Sequence, residues 1–416
     1  MTGATDGADV MTTPATVTVV GWDGRPLPAA AAEHVCDAAL VVGGARHLTA
    51  LDRLGLRPTG EQLVVGADGV SWAEAVDRVV RTSAAGSRCV VVASGDPGFF
   101  GVVRSLRAAD LPLQVWPGAT SVAQAFGRIG REWEDAVVVS AHGRPAGAAL
   151  AVARTAAKVA VLTGPQAPAE MFVEALREAG RSVWVAERLG EDDERVRGGD
   201  DCVPPFAEPN VVLADDAEPT GAPRWRSGPA VGSGPWALQD DAFEHRDSMV
   251  TKREVRALAL AALGPAPGVT VWDVGAGSGS VGIECARLGA DVVAVERDVD
   301  QLDRLRRNAS RHGVRVHVVA GAAPGALAGL RCPDAVFVGG GGPDVVEAVA
   351  AQPGGRRVVV ALAAVERIRP AIDALRRNGY EVEGVQLQAS RLRGLPDGSH
   401  RFAATNPVTL VTGVRS

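Results

Sequence analysis

The sequence predicts an α/β protein made of two domains, and three observations lead to that prediction. Short runs rich in β-branched residues alternate with helical segments, which is typical of parallel strands covered on both faces. Turns rich in glycine and proline follow these strands, where open α/β sheets bind their ligands. An aperiodic stretch at 214–235 separates residues 15–213 from residues 236–416, so we expect a linker between two domains.

Composition is that of an ordinary soluble globular protein. The 416 residues suffice for two or three domains, and 46% of them are hydrophobic and 22% charged. No apolar run approaches the roughly 20 residues of a membrane helix. The start of the chain, up to Pro14, is small and polar and lacks a signal-peptide core, with Met11 as a candidate first residue. We therefore expect a cytoplasmic protein without a membrane partner.

Charge and cysteine content argue against other classes of partner. A formal net charge of −6 argues against general nucleic-acid binding. The five cysteines are scattered and no pair has the spacing of metal ligands, so we expect reduced thiols and no metal site. The sequence does not determine the oligomeric state, and a homo-oligomer is one alternative.

The first domain is predicted to repeat strands and helices, with a helix at 121–127 after the fourth strand. The predicted strands are 16–20, 38–42, 88–93, 113–116, 135–140, 159–163, 182–186 and 210–213.

The second domain is predicted to begin at Trp236, and a helix that opens within 249–256 runs to Leu263. Thr251 is expected to cap this helix, with Glu254 as its capping-box partner. Residues 380–389 and 408–414 are expected to form a long hairpin. The other predicted elements are strands at 269–274, 291–295, 315–320, 334–338 and 356–362, helices at 280–288 and 299–312, and a further α/β unit at 365–378.

The strand at 269–274 leads into the most informative motif of the chain. Its glycines allow a tight turn and a close approach of the backbone to a ligand. The following helix points its N-terminal N–H groups at that ligand. Glu296 ends the next strand, where an acidic side chain reaches ribose hydroxyls. The residues of the turn are Gly275, Ala276, Gly277, Ser278 and Gly279.

The spacing of the turn indicates which nucleoside binds. A dinucleotide fingerprint is G-x-G-x-x-G, whereas this turn is G-x-G-x-G, with Ser280 where the third dinucleotide glycine would stand. The pattern is that of class I S-adenosylmethionine (SAM) methyltransferases, and it disfavours an NAD-dependent dehydrogenase. The alternative without a ligand is a plain βαβ crossover with a glycine turn.

Motifs in both halves carry a family resemblance. Val41-Val-Gly-Gly-Ala-Arg-His-Leu48, Ser94-Gly-Asp-Pro-Gly-Phe-Phe-Gly101, Pro117-Gly-Ala-Thr-Ser121 and Val139-Ser-Ala-His-Gly-Arg144 resemble the tetrapyrrole (corrin/porphyrin) methyltransferases. The second half, from Met249-Val-Thr-Lys-Arg253 to Ser390-Arg-Leu-Arg393, resembles the decarboxylating precorrin methyltransferases. The fusion resembles the precorrin-6Y C(5,15)-methyltransferase (decarboxylating) family of cobalamin biosynthesis. This implies a tetrapyrrole-methylase α/β domain followed by a Rossmann-like class I SAM methyltransferase domain.

The resemblance also implies a reaction and residue roles. It implies two methyl transfers from SAM, to carbons 5 and 15 of an anionic reduced tetrapyrrole, with loss of carbon dioxide from an acetate side chain. In the second domain it adds Thr251 near the methionine and Ala322 near the adenine of SAM. The first-domain SAM contacts that it implies are Asp96, Gly98, Gly101, Thr120 and Ala141.

Other candidate residues would act on the substrate. His142 is a candidate general base or hydrogen-bond donor to a substrate carboxylate, and the alternative is a structural histidine. The candidate cations for substrate carboxylates are Arg128, Arg144, Arg391 and Arg393, each of which could equally be a solvated surface arginine. For Thr251 the alternative is a helix cap alone, and for Asp96 a turn-forming Asp-Pro.

One departure and two rival functions accompany the resemblance. The first turn, Gly21-Trp-Asp-Gly-Arg-Pro26, carries bulkier residues than the family's glycine-rich turn. A methyltransferase fusion with another substrate is one rival. A regulatory module that senses SAM without catalysis is the other, and it would bind SAM without turning over any reduced tetrapyrrole.

Overall fold

The computed structural model describes residues 14–66, 69–143, 145–216, 235–246 and 250–415. Met11, Arg144, Met249 and most of the predicted linker lie outside the described residues. The chain divides into two compact units. The first contains the chain up to Trp133, Leu162–Gly164 and Val183–Leu213, and the second contains Glu134–Val161, Pro165–Ser182 and the chain from Ala214 onward.

The amino-terminal half alternates strands and helices, as the sequence predicts. Its strands are β1 (Val17–Trp22), β2 (Leu40–Gly44), β3 (Glu61–Val65), β4 (Cys89–Ser94), β5 (Leu113–Trp116), β6 (Val137–Ser140), β7 (Lys158–Leu162), β8 (Val183–Glu187), β9 (Arg195–Gly198) and β10 (Asn210–Asp215). Its helices are α1 (Ala29–Cys36), α2 (Ala45–Arg53), α3 (Trp72–Ala84), α4 (Val103–Ala108), α5 (Ser121–Arg128), α6 (Ala146–Thr155) and α7 (Ala169–Glu178).

The first compact unit contains a five-stranded parallel sheet in the order β3-β2-β4-β1-β5. Successive valines of a strand point to opposite faces, so Val19 packs with α3 and α4 on one side and Val20 packs with α1 and α2 on the other. The predicted parallel sheet covered on both faces is therefore confirmed. Because β1, β4 and β5 are neighbours, the turns that follow them meet at one edge. In the same unit β8 and β9 pair antiparallel.

The carboxy-terminal half forms a seven-stranded sheet and a short two-stranded ribbon. Its elements are α8 (Arg253–Leu263), β11 (Thr270–Val274), α9 (Ser280–Arg287), β12 (Asp291–Glu296), α10 (Val299–Arg311), β13 (His317–Ala320), β14 (Ala335–Val338), α11 (Pro343–Ala350), β15 (Arg357–Leu362), α12 (Ile368–Arg377), β16 (Glu381–Leu387), β17 (Ser390–Gly394), β18 (His400–Ala404) and β19 (Val408–Val414).

The strand order of the large sheet is β13-β12-β11-β14-β15-β19-β16. The first five strands are parallel, and β19 runs antiparallel between β15 and β16. Helices α8 and α9 cover one face, and α11 and α12 cover the other. The chain moves outward from β11 in both directions, so the strand order reverses between β11 and β14. Open α/β sheets bind their ligands at such a point, beyond the carboxyl ends of the strands.

Three local predictions need correction. Helix α8 begins at Arg253 after Lys252, whose side chain makes no capping hydrogen bond, so Thr251 does not cap it. Glu254 binds Arg391 instead of closing a capping box. Strand β10 continues to Asp215, so the first residues of the predicted linker belong to a buried strand.

The predicted hairpin is confirmed as the antiparallel pair of β16 and β19. The residues between these two strands form the separate ribbon of β17 and β18, which the sequence pattern does not predict. The ribbon lacks a buried apolar face, since Leu392 is 59% exposed and Phe402 is 72% exposed.

Candidate functional site

The turn after β11 holds its three glycines in the left-handed backbone region, with φ angles of +70° at Gly275, +55° at Gly277 and +81° at Gly279. A Cβ on Gly275 would lie 2.8 Å from the backbone nitrogen of Gly340, which leaves no room for a side chain. A Cβ on Gly277 would have no atom within 4 Å. The Gly277 backbone therefore faces open space, as a turn that receives a ligand requires.

Glu296 ends β12 beside this turn. Its Oε2 accepts a hydrogen bond of 2.8 Å from the N–H of Gly277. Its Oε1 accepts from the N–H groups of Arg297, at 2.8 Å, and Asp298, at 2.9 Å. The half-buried carboxylate thus fixes the turn. Each carboxylate oxygen can accept two hydrogen bonds, so Oε1 is fully used and Oε2 keeps one site for a ribose hydroxyl. This arrangement fits the sugar of a nucleoside.

Two other predicted contacts of the second domain lie around this turn. Gly321, next to Ala322, donates its N–H to the carbonyl of Glu296 at 2.8 Å, so Ala322 belongs to the same edge of the sheet. Ser278 is buried, and its carbonyl accepts from Asn308 at 2.9 Å. The structure therefore brings the predicted turn, the acid and Ala322 together.

Thr251 is held by a buried ion pair that the sequence reasoning missed. Arg256 and Glu284 are fully enclosed and lie 2.7 Å apart from Nε to Oε1. Arg256 also donates to the Thr251 carbonyl at 2.5 Å. Glu284 accepts from the backbone N–H groups of Ala237 and Leu238. The pair therefore fastens the start of the domain to α8 and α9. Charged residues at positions that a helical pattern assigns to the core were the available signal.

Asp273, the fourth residue of β11, is buried to 1% exposure. Its Oδ2 accepts from the N–H of Gly282 at 2.8 Å, and its Oδ1 has no hydrogen-bond partner within the part of the chain that the structure describes. Burial, together with the charge of Glu296, raises the pKa of Asp273 to about 7. This carboxyl ties α9 to β11 behind the glycine turn.

Replacing Asp273 with asparagine is expected to stabilise the protein at alkaline pH. The folded-state pKa lies above the unfolded value of 3.8, so the contribution of this carboxyl is full below pH 3.8 and is lost as pH rises through 7. At pH 8 the free energy of unfolding should rise by roughly 2–4 kcal/mol in Asp273→Asn, because the neutral amide can still accept from Gly282. Urea titrations at pH 5 and pH 8 measure the difference.

The matched control is Asp52→Asn, which changes an exposed aspartate on α2. An Asp273→Asn effect of the same size at both pH values would show that Asp273 is already ionised in the folded protein.

In the first unit, three turns meet at the carboxyl edge of the sheet. Gly95 donates its N–H to the Trp22 carbonyl at 2.7 Å, and Gly118 donates to the Gly95 carbonyl at 3.1 Å. A Cβ on Gly21 would lie 1.9 Å from the Gly95 carbonyl oxygen, so only glycine fits there. Asp23 accepts from the N–H of Ala119 at 2.9 Å. Sequence reasoning singled out none of Gly21, Asp23 and Gly118 as site residues.

The predicted first-domain contacts after β4 and β5 lie at this edge. Asp96 accepts from the N–H of Gly98 at 2.8 Å, which shapes the turn. A Cβ on Gly101 would lie 2.4 Å from the Pro97 carbonyl oxygen. Thr120 caps α5 by accepting from Ala123 at 3.0 Å, and a Cβ on Gly95 would lie 3.2 Å from its Cα. Asp96, Gly98, Gly101 and Thr120 therefore belong to one loop cluster.

The bulky Trp22 does not crowd this edge. Its ring packs with the core cluster on the α1 and α2 side of the sheet and meets the ring of His47 edge-on, with centroids 6.3 Å apart. His47 also lies 3.0 Å from the hydroxyl of Ser94. Burial, with the neighbouring Arg46 charge, lowers the pKa of His47 to about 3, so this imidazole is neutral at physiological pH.

The predicted substrate residues have different surroundings. Ala141 is buried and His142 is exposed, and both follow β6 in the second compact unit. Arg128 forms a two-pronged ion pair with Glu194, with N–O distances of 2.5 and 3.2 Å. Arg144 lies outside the described residues.

Arg391 and Arg393 lie on β17 and differ from each other. Arg391 binds Asp240 at 2.8 Å and Glu254 at 2.7 Å, and these contacts raise its pKa. Its charge is therefore already balanced by two carboxylates. Arg393 faces Arg401 across the ribbon, and no acidic partner for it occurs among the described residues.

Known proteins match both halves of the chain. A family model described as Tetrapyrrole (Corrin/Porphyrin) Methylases matches residues 17–200, and one described as Precorrin methyltransferase domain matches residues 241–414. A curated protein of Sinorhizobium sp., named Precorrin-6Y C(5,15)-methyltransferase (decarboxylating), is 38% identical over 369 residues, which cover 83% of this chain and 84% of that protein. The chain belongs to this family.

Two further relatives match a larger and a smaller part of the chain. A Mycobacterium tuberculosis protein of the same name is 33% identical over 315 residues, covering 71% of this chain and 75% of its own length. A Pyrobaculum calidifontis protein, named Probable cobalt-precorrin-6B C(15)-methyltransferase (decarboxylating), is 36% identical over 185 residues, which cover 42% of this chain and 94% of that protein.

Family membership confirms the predicted class of enzyme. The chain is a SAM-dependent C-methyltransferase of the decarboxylating type, in a family of cobalamin biosynthesis enzymes. The predicted fold class, a tetrapyrrole-methylase domain followed by a Rossmann-like methyltransferase domain, is likewise confirmed. No helix in the described part of the chain has the length and apolar character needed to cross a membrane.

Proposed function

We propose that this chain methylates precorrin-6Y at carbons 5 and 15 and removes the carboxylate of an acetate side chain. The carboxy-terminal domain, 236–416, would methylate carbon 15 and decarboxylate, and the amino-terminal domain, 15–213, would methylate carbon 5. The division of labour is supported by the Pyrobaculum relative, whose name includes only the C(15) methylation and the decarboxylation. That relative matches less than half of this chain and nearly all of its own length.

The observation that carries the proposal is the turn of Gly275 to Gly279 beside Glu296. The open space beside Gly277 and the oriented carboxylate fit the nucleoside part of SAM. The loop cluster around Gly21, Gly95 and Gly118 supports a second site, because those glycines allow three backbones to meet where a ligand would approach. We propose Asp96, Gly98, Gly101, Thr120 and Ala141 as its SAM contacts.

Because both reactants are already reactive, the main role of the protein is to position them. SAM supplies an electrophilic methyl group on a sulfonium centre, and the reduced tetrapyrrole supplies electron-rich carbon. The glycine turn and Glu296 would hold the nucleoside of SAM, Thr251 would lie near its methionine, and Ala322 would lie near its adenine. The residues around the acceptor must align it with the methyl group and keep water out. His142, Arg128, Arg144, Arg391 and Arg393 remain candidates for contact with the substrate.

A net charge of −6 argues against nucleic-acid binding, so we propose an enzyme that binds no nucleic acid. The relatives are biosynthetic enzymes, and we also propose that this chain acts in the cytoplasm, either as a single chain or as a homo-oligomer.

Mass spectrometry of the product tests the proposed function. Purified protein incubated with SAM and precorrin-6Y should give a product that has gained two methyl groups and lost one carbon dioxide. A SAM-sensing module would bind SAM and return the tetrapyrrole unchanged. A methyltransferase for a different substrate would also leave precorrin-6Y unchanged, but would transfer labelled methyl from SAM to another reduced tetrapyrrole.

Two SAM sites per chain are expected. Calorimetric titration with S-adenosylhomocysteine should give a stoichiometry near two, because each family domain has its own cluster of glycine turns at the carboxyl edge of its sheet. A stoichiometry of one would mean that one domain has lost its site. The Glu296→Ala variant then identifies the site that is left, since it weakens binding only in the carboxy-terminal domain.

A further inference from the structure

A cleft opens beyond the carboxyl ends of β14 and β15, with a volume of about 340 Å³. Its floor is the glycine run Gly339–Gly342, and its walls include Val338, Val346, Val360 and Leu362. Of the described residues that line it, only Arg367 is charged. The cleft therefore combines a floor of glycine backbone, walls of apolar side chains and one cation.

The floor of the cleft touches the cofactor turn. Gly339 donates its N–H to the carbonyl of Val274 at 2.9 Å, and a Cβ on Gly275 would meet the Gly340 nitrogen. In the strand order, Glu296 on β12 and the cleft on β14 lie on opposite sides of β11. The turn is thus bordered by the nucleoside acid on one side and by the cleft on the other, so an acceptor in the cleft lies next to the cofactor site.

The walls and Arg367 act differently on a carboxylate. The side chains of Leu362, Ala363 and Ala364 form the accessible part of the wall and offer no hydrogen-bond donor. A carboxylate pressed against them loses hydration, which raises its energy relative to neutral carbon dioxide. Arg367 is exposed and donates to the Gly341 carbonyl at 3.1 Å, which holds its guanidinium beside the glycine floor. A carboxylate paired with it would be stabilised.

We propose that this cleft binds the edge of the tetrapyrrole that carries the acetate group. Its apolar walls desolvate the carboxylate that leaves, and Arg367 pairs with a neighbouring carboxylate that is retained. The inference rests on the proposed function and adds the acceptor subsite to it. In the reaction, the bond from the acetate methylene to its carboxylate breaks, and its electron pair enters the conjugated ring. Carbon dioxide leaves, and a proton from water returns to the methylene carbon to form a methyl group.

Removal of the Arg367 charge and addition of a charge to the apolar wall should change different kinetic constants. Arg367→Ala should raise KM for the tetrapyrrole about tenfold or more, with kcat for carbon dioxide release within a few-fold of the wild-type value. Leu362→Arg, which adds a cation to the wall, should lower that kcat by about tenfold or more without raising KM. Ala363→Lys, at an exposed position in the lining, should act in the same direction and disturb packing less.

Matched controls lie outside the cleft lining. Arg369→Ala removes an exposed arginine that pairs with Asp373, and Val385→Arg adds an arginine to half-exposed β16. Both should leave the kinetics unchanged. Titration with S-adenosylhomocysteine, expected to be unaltered in every variant, shows that each is folded.

The outcomes separate this inference from the proposed function. A wild-type protein that neither methylates nor decarboxylates precorrin-6Y overturns the proposed function. An active wild type overturns the inference alone if Arg367→Ala leaves KM unchanged, or if both Leu362→Arg and Ala363→Lys release carbon dioxide at the wild-type rate.

Discussion

Replacing Glu296 with alanine is expected to weaken SAM binding in the carboxy-terminal domain by about a hundredfold or more. A charge-assisted hydrogen bond to a ribose hydroxyl contributes about 1.5–3 kcal/mol. The carboxylate also accepts from the N–H of Gly277, so its loss releases the turn that receives the ligand. Calorimetric titration with S-adenosylhomocysteine should show one weakened site and one site of wild-type affinity.

Removal of the ribose hydroxyls separates the two roles of Glu296. A dideoxyribose analogue of S-adenosylhomocysteine should bind more weakly than the parent compound in the wild type. In Glu296→Ala the same change should cost little more, since the partner of the hydroxyls is already gone. If the dideoxyribose analogue binds Glu296→Ala more weakly than it binds the wild type, the difference in affinity measures the loss of the Gly277 contact.

Glu383→Ala serves as the control, because it removes an exposed carboxylate from β16 of the same sheet. This substitution should leave the affinity for S-adenosylhomocysteine unchanged at both sites. If Glu296→Ala binds S-adenosylhomocysteine as tightly as the wild type at both sites, the ribose assignment is wrong.

The glycine turn could be predicted from the sequence because its determinants are local. The left-handed backbone of the turn depends only on the three glycines Gly275, Gly277 and Gly279, and the strand before them is mostly β-branched or apolar. The strand carrying Glu296 follows within one βαβ unit, so the distance between acid and turn is limited by a short, regular crossover.

Contacts between distant parts of the chain could not be predicted in the same way. Arg391 is expected from its motif to face the substrate, and nothing near it in sequence indicates that Asp240, 151 residues away, already binds it. Thr251 has the residue type and spacing of a helix cap, yet Arg256 draws its carbonyl inward and the helix starts two residues later. Tertiary ion pairs decide both cases.

Exposed strands were missed for a related reason. Strand β3 has no fully buried residue, and the ribbon of β17 and β18 presents Leu392 and Phe402 to solvent. Only the last three residues of β3 are half-buried and the ribbon has no buried face, so these segments lack the alternating pattern that predicts strands. Arg367 was missed because it lies on a short 3₁₀ turn before α12, and only the fold brings that turn to the glycine run after β14.

The last expected result is that the two halves work when separated between Asp216 and Pro235. The core clusters that cover the seven-stranded sheet consist entirely of residues after 236. Within the second compact unit the cut removes the ion pairs of Arg154 with Asp291, at 3.7 Å, and of Arg315 with Asp216, at 3.0 Å. Asp291 keeps its ion pair with Arg331, at 2.7 Å, and becomes accessible to water, so its charge stays compensated.

The position of the cut follows from β10 and the residue after it. Asp216 accepts from the N–H of Ser182 at 3.2 Å and pairs with Arg181, so the amino-terminal fragment must retain it. A cut at the predicted boundary after Leu213 would remove the buried end of the strand. Fragments 11–216 and 235–416 avoid that loss.

Each fragment is expected to perform its own part of the reaction. Fragment 235–416 should methylate carbon 15 and release carbon dioxide, since it holds the glycine turn, Glu296 and the cleft with Arg367. Fragment 11–216 should methylate carbon 5 only. Products weighed for each fragment alone, for the mixture and for the uncut chain provide the measurement. If fragment 235–416 binds S-adenosylhomocysteine but leaves the carboxylate in place, decarboxylation requires the amino-terminal domain, and the division between the domains is wrong.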